Sequence, residues 1–180
     1  GISLAGSKFP LYQSAEESGE AESAAKGNGR DSLGLFGEVF KWDEWLGTMK
    51  KENLEEEIQT YLNPEIMPSL WGIIPFVKKL ENVDANYSRS FVRNLLATAQ
   101  IQSQKIKEIE DKRKGKESYK NELKDIRYYL HLPKIAYTLA RLPKSVLEDA
   151  DFRTSLKSPY NAPYFRAIAT WIELLNRKTD

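Results

Sequence analysis

The chain has 180 residues, with 27 Lys and Arg against 26 Asp and Glu, no cysteine and one histidine. That length suits one domain with a real core, and the near-neutral charge argues against a protein built to coat nucleic acid. The missing thiols exclude disulfides, thiolate metal sites and cysteine nucleophiles.

Residues 1–31 are poor in large apolar side chains after Tyr12 and rich in Ser, Gly, Ala and Glu. Such a composition cannot offset its own ordering entropy by burial. They read as an extended or disordered N-terminal tail preceding a helical domain over 32–180. Glu16, Glu17, Glu20 and Glu22 make the tail acidic, and Phe9, Leu11 and Tyr12 form a small apolar segment suited to lie along a partner. The start at Gly1, with no charged-then-apolar leader, fits a mature product or a trimmed one.

From Leu33 the character changes. Leu35, Phe36, Val39, Phe40, Trp42, Trp45 and Leu46 form a dense aromatic group closed by Gly47, a helix terminator. It reads as a short helix against the bundle, or as a plug into a neighbouring subunit. A second helix is expected over Lys50–Leu62, ended by Asn63-Pro64. The apolar run Ile66–Leu80 has near-helical spacing but contains Pro68 and Pro75, so a bent or segmented element is expected. It is too short to span a bilayer, which takes roughly 20 apolar residues.

A long charged hairpin, Asp84 to Leu142, is expected to organise the fold. Its first pass carries Tyr87, Phe91, Leu95, Ala99, Ile106 and Ile109, with Val92 and Leu96 beside them; its second carries Tyr119, Leu123, Ile126 and Leu130 up to a kink at Pro133. Between them lies a basic tip, Lys112, Arg113, Lys114 and Lys116, positioned to dock on an acidic partner. Ser145 and Glu148 have the spacing of a capping box. After the loop Lys157–Pro163, a last helix is read from Tyr164, Ile168, Trp171, Ile172 and Leu175. No strand alternation or repeat is evident. The fold class is all-α, an up-down bundle of about four main helices with short extra helices.

No constellation for chemistry emerges. His131 has no second histidine or spaced carboxylate pair beside it, and Glu108, Glu110 and Asp111 lie among lysines on a polar face. Gly27-Asn28-Gly29-Arg30 lacks the lysine and hydroxyl of a phosphate loop. The expectation is a non-enzyme with no catalytic residue, no metal and no cofactor.

Asn121-Glu122-Leu123-Lys124 followed by Tyr129-Leu130, then Lys157-Ser158-Pro159 with Ala162, Phe165 and Leu174-Leu175-Asn176, resembles the PsbQ family of extrinsic photosystem II proteins. The resemblance covers the C-terminal third. It implies a four-helix bundle in the thylakoid lumen, peripheral to the membrane, bound to the photosystem II core and its other extrinsic subunits. It further implies support of the oxygen-evolving centre without chemistry or nucleic-acid binding. The alternatives are a structural subunit of another large membrane assembly, or a free-standing helical module whose basic tip engages an acidic partner or nucleic acid.

Overall fold

The computed structural model describes residues 1–4, 10–48, 70–82, 89–113, 132–142, 144–158 and 161–176. In chain order these form α1 (Leu11–Gly27), β1 (Ser32–Leu35), β2 (Glu38–Lys41), α2 (Trp42–Leu46), α3 (Ile73–Asn82) and α4 (Arg89–Arg113). There follow α5 (Leu132–Leu139), α6 (Lys144–Leu147), α7 (Ala150–Lys157), a 3-10 turn (Ala162–Tyr164) and α8 (Phe165–Leu175). The described chain is predominantly helical with a small two-stranded antiparallel sheet, and its arrangement is not a clear four-helix bundle. The helix expected over Lys50–Leu62 and the second pass from Tyr119 to Leu130 lie outside the described residues.

Two expectations about the N-terminal region are overturned. The supposed extended tail contains α1, a helix capable of lying close to the sheet because its inner residues are small. Ser14, Ser18 and Ala21 are half-buried and Ala25 is buried, a stripe at helical spacing. Opposite it runs Gly34, where an added Cβ would fall 2.6 Å from the Ala21 carbonyl oxygen. The Ile2 N–H donates to the Gly34 carbonyl at 3.0 Å, so the first residues lie along the outer edge of β1. Burial of a few alanines against backbone holds this helix, which is why its apolar count gave no signal.

The second is the aromatic group, read as a short helix. Most of it is a hairpin in which Leu35 pairs with Glu38 across a two-residue loop, Phe36-Gly37. Both loop residues are left-handed, with φ of 59° and 72°, as the tight hairpin turn that matches strand twist requires. Phe36 adopts this conformation at a cost of about 1–2 kcal/mol. Its ring meets the edge of Trp171 at 5.8 Å, a contact that offsets the strain. The helical part of the expectation survives as α2, ended at Gly47 with φ of 69° and a cap N–H donated to the Asp43 carbonyl.

Proline placement is explained by helix starts. Pro75 stands in the first turn of α3, and Pro133 in the first turn of α5, where a missing N–H costs little. The interruption expected at Pro75 is therefore the beginning of a helix. The short helix expected at Ser145 is α6, with Ser145 inside it rather than at its cap, and the helix after it is capped by Asp149, whose carboxylate accepts from the Phe152 N–H at 2.9 Å.

Among the described residues the packing centre is α8. Phe165, Ala167, Ile168, Ala169 and Ile172 are all buried, so the helix is enclosed on more than one side. It packs on α4 and α3, while α5 joins α4 to α7. On α4 the expected stripe holds for Phe91, Val92, Leu95 and Ala99. Phe152 of α7 sits between Phe76 at 5.7 Å and Phe91 at 6.3 Å, and each such buried ring contributes about 1.5–3 kcal/mol relative to exposure.

Gly72 (φ 84°) faces Gly47 at the start of α3, with the Gly47 Cα only 2.5 Å from where a Gly72 Cβ would lie. Gly72→Ala is expected to destabilise the domain by about 2–4 kcal/mol, through strain and steric overlap together. Gly19→Ala on open α1 surface should instead stabilise α1 by up to about 1 kcal/mol. Urea unfolding of the two variants checks both signs.

A second expectation concerns Asp149. Its pairing with Lys79 at 2.6 Å and its cap hydrogen bond hold its carboxyl below the usual range. A lowered folded-state pKa contributes stability that is present above the unfolded value and lost as pH falls through the folded one. Asp149→Asn, which can still cap, should flatten the loss of stability below about pH 4. Asp149→Ala should in addition lower stability at neutral pH by about 1 kcal/mol; thermal melts across pH measure both.

Candidate functional site

Of the residues expected to dock, only Leu11 and Tyr12 have side chains among the described residues. Leu11 and Tyr12 open α1 and are 84% and 69% exposed, whereas Phe9 lies outside the described residues. Lys112 and Arg113 are the last described residues of α4, and Lys114 and Lys116 lie outside the described residues. The outer side of α1 is acidic: Glu16 and Glu20 are exposed, Glu17 accepts from the Ser3 hydroxyl at 2.8 Å, and Glu22 pairs with Lys26. The Lys26 ammonium holds the Glu22 carboxyl below its usual range.

Side chains from the hairpin, α2 and α8 build an aromatic junction. Phe40 meets Trp45 at 5.9 Å and Tyr164 at 5.1 Å, both edge-on, and Trp171 packs on Trp45 at 6.2 Å. The buried Trp45 indole donates to the Leu33 carbonyl at 3.1 Å. Glu44 serves two donors: one carboxylate oxygen accepts from the Lys41 N–H at 2.7 Å, the other from the Tyr164 hydroxyl at 2.9 Å. Burial, then the neighbouring Glu44 charge, pushes the Tyr164 phenol far above its ordinary value. That hydroxyl therefore stays a donor across the working pH range and fastens structure rather than moving protons. Glu38 is paired with Arg166 at 2.8 Å, yet burial raises its carboxyl above the usual range, so the ion pair does not fully offset desolvation.

A polar clamp lies deeper. Asn161 is fully buried; its amide donates to the Leu70 carbonyl at 2.9 Å and the Ser155 carbonyl at 3.0 Å, while its oxygen accepts from the Gly72 N–H at 3.1 Å. These bonds are all directed at backbone, which is a positioning task.

One surface escaped the sequence reading. On α5, Ile135, Thr138 and Leu139 face inward, while Ala136 and Tyr137, and Ala140 and Arg141 in the turn that follows, are exposed. The Arg141 guanidinium lies 4.4 Å from the centre of the Tyr137 ring, which is 51% exposed. The signal was present as composition: from Ile126 to Leu147 the sequence carries Arg127, Lys134, Arg141 and Lys144 and no carboxylate.

Among the described residues no group of three His, Cys, Asp or Glu is placed to hold a metal ion, and no helix is long and apolar enough to cross a membrane. No family model matches the chain, and no solved structure matches it. Over 114 residues it is 28% identical to the CRISPR system single-strand-specific deoxyribonuclease Cas10/Csm1 (subtype III-A) of Streptococcus thermophilus. The match takes in 62% of this chain and 15% of that protein, so the chain spans a small part of its relative's length.

Asn161→Ala is expected to cost about 2–4 kcal/mol, because it leaves the Leu70 carbonyl and the Gly72 N–H without their side-chain partner and removes one of the two hydrogen bonds to the Ser155 carbonyl. Asn161→Asp should cost nearly as much, since it removes both donors. Chemical denaturation with hydrogen exchange at Gly72 distinguishes loss of the clamp from general loosening.

Proposed function

We propose that this chain is a helical, non-catalytic portion of a Cas10/Csm1-like CRISPR-system protein, serving as a docking piece rather than as its nuclease centre. The observation that carries the reading is the similarity over 114 residues to a stretch amounting to 15% of the relative. The surfaces are consistent with a docking role: apolar side chains stand exposed at Leu11 and Tyr12 on α1 and at Trp42 and Leu46 on α2, and hot spots of interfaces favour aromatic anchors of this kind.

The test is a low-salt pull-down of the tagged chain from its native source, with mass spectrometry of what remains attached. Recovery of CRISPR-system proteins is the expected result. Recovery of the photosystem II core and its extrinsic subunits would replace it with the lumenal accessory reading suggested by the PsbQ-like motifs; unrelated soluble proteins would sink both. The purified chain should leave single-stranded DNA intact in the presence of magnesium or manganese, and cleavage would overturn the non-catalytic assignment.

A further inference from the structure

We propose that the exposed face of α5 binds single-stranded nucleic acid, with Tyr137 and Arg141 as a stacking platform and Lys134 and Lys144 as phosphate contacts. Three observations converge. The Tyr137 ring is 51% exposed, on the side of α5 turned away from buried Ile135 and Leu139, and the Arg141 guanidinium lies 4.4 Å from its centre. A base has a π-face of its own and adds to such a stack whatever its identity. Lys134, Arg141 and Lys144 make no ion pair among the described residues.

The third observation is the local field. The sequence has no carboxylate between Asp125 and Glu148, so α5 and the turn after it present cations alone. Two helices pack against α5: α7 brings exposed Arg153 and Lys157 together with Asp149 and Asp151, with Glu148 at the turn before it, and α4 brings Arg93, Lys105 and Lys107 together with Glu108 and Asp111. Of those carboxylates, Asp149 is taken up by Lys79 and by the N-terminus of α7. The remaining balance is positive, which suits a polyanion. The whole-chain neutrality that argued against nucleic acid conceals this segregation.

The choice of a single strand over a duplex rests on the Cas10/Csm1-like reading and on geometry: paired bases are already stacked and cannot reach Tyr137 without being splayed out. The probe is fluorescence anisotropy of the purified full chain with labelled oligothymidylate, oligouridylate and a duplex of equal length, at two salt concentrations. At least one single strand should bind more tightly than the duplex, and comparison of the two arms tells DNA from RNA. Tyr137→Ala should weaken that binding roughly 5- to 100-fold, while Tyr137→Phe, which keeps the ring, stays within about twofold. Lys134→Ala and Lys144→Ala should each reduce the salt slope by about one.

Unchanged affinity in Tyr137→Ala, with the fold verified by circular dichroism, overturns the proposal. So does equal or tighter binding of polyglutamate, which would assign the face to an acidic protein. Arg141→Gln supplies a second variant should Tyr137→Ala fail to fold, and it too must weaken binding. Because the assay uses the chain alone, strand binding and recovery of CRISPR subunits succeed or fail separately.

Discussion

The arrangement depends on how one buried amide meets three backbone groups. Asn161 stands where the chain leaves α7 and prepares to enter α8, and it reaches back to Leu70 and Gly72 at the start of α3. Two of those groups, at Leu70 and Gly72, belong to an irregular segment that does not satisfy them through helical bonding, while the third, the Ser155 carbonyl of α7, also accepts from the Ser158 N–H at 3.3 Å. Without a partner, each buried group would cost a share of the desolvation penalty. An asparagine suits the place because it combines two donors with an acceptor on a short, stiff stem. Once it is seated, α3 and α8 are brought alongside, and the apolar surfaces of Phe76 and Phe165 meet at 6.4 Å.

A second constraint joins the N-terminal part to this helical core. The hairpin carries its aromatics on strands too short to be stable alone, and their free energy is gained only against α2 and α8. Trp45 is wholly enclosed, with its indole N–H satisfied, so it acts as the keystone of that junction. The charged links are of a different kind. Arg166 and Glu38 hold the hairpin to α8 at the solvent edge, and the raised carboxyl of Glu38 says that burial there opposes the charge. Such pairs fix orientation more than they add stability.

Long periodic segments were legible in the sequence: α4 and α8 follow their apolar spacing, and Gly47 ends α2 as its position suggested. What escaped had other physics. α1 is held by alanine and serine stripes over Gly34, and a hydrophobic count assigns almost no weight to such contacts although close backbone approach makes them effective. The hairpin escaped because its turn places Phe36, not asparagine or glycine, in a left-handed conformation. The role of Asn161 is a long-range one, spanning back to residues 70 and 72, and local sequence contains no trace of it. Leu11 and Tyr12 stand exposed at the start of α1, whereas Tyr137, half-exposed on α5, lies among apolar neighbours in sequence and is not marked out by them.

The same contrast between local and global bears on charge. Summing 27 cations and 26 anions over the chain yields almost nothing, but a ligand approaching one helix does not experience that sum. At physiological salt, exposed charges more than about 8 Å apart are largely screened from one another. A strand lying on α5 therefore responds first to the charges nearest it, Lys134, Arg141 and Lys144. Conversely, a partner meeting α1 finds carboxylates beside Leu11 and Tyr12. A chain whose net charge is near zero can thus present two faces of opposite sign, each selecting a different class of partner. Segregation along the sequence, more than the total, is the property that a physical reading of such proteins has to track.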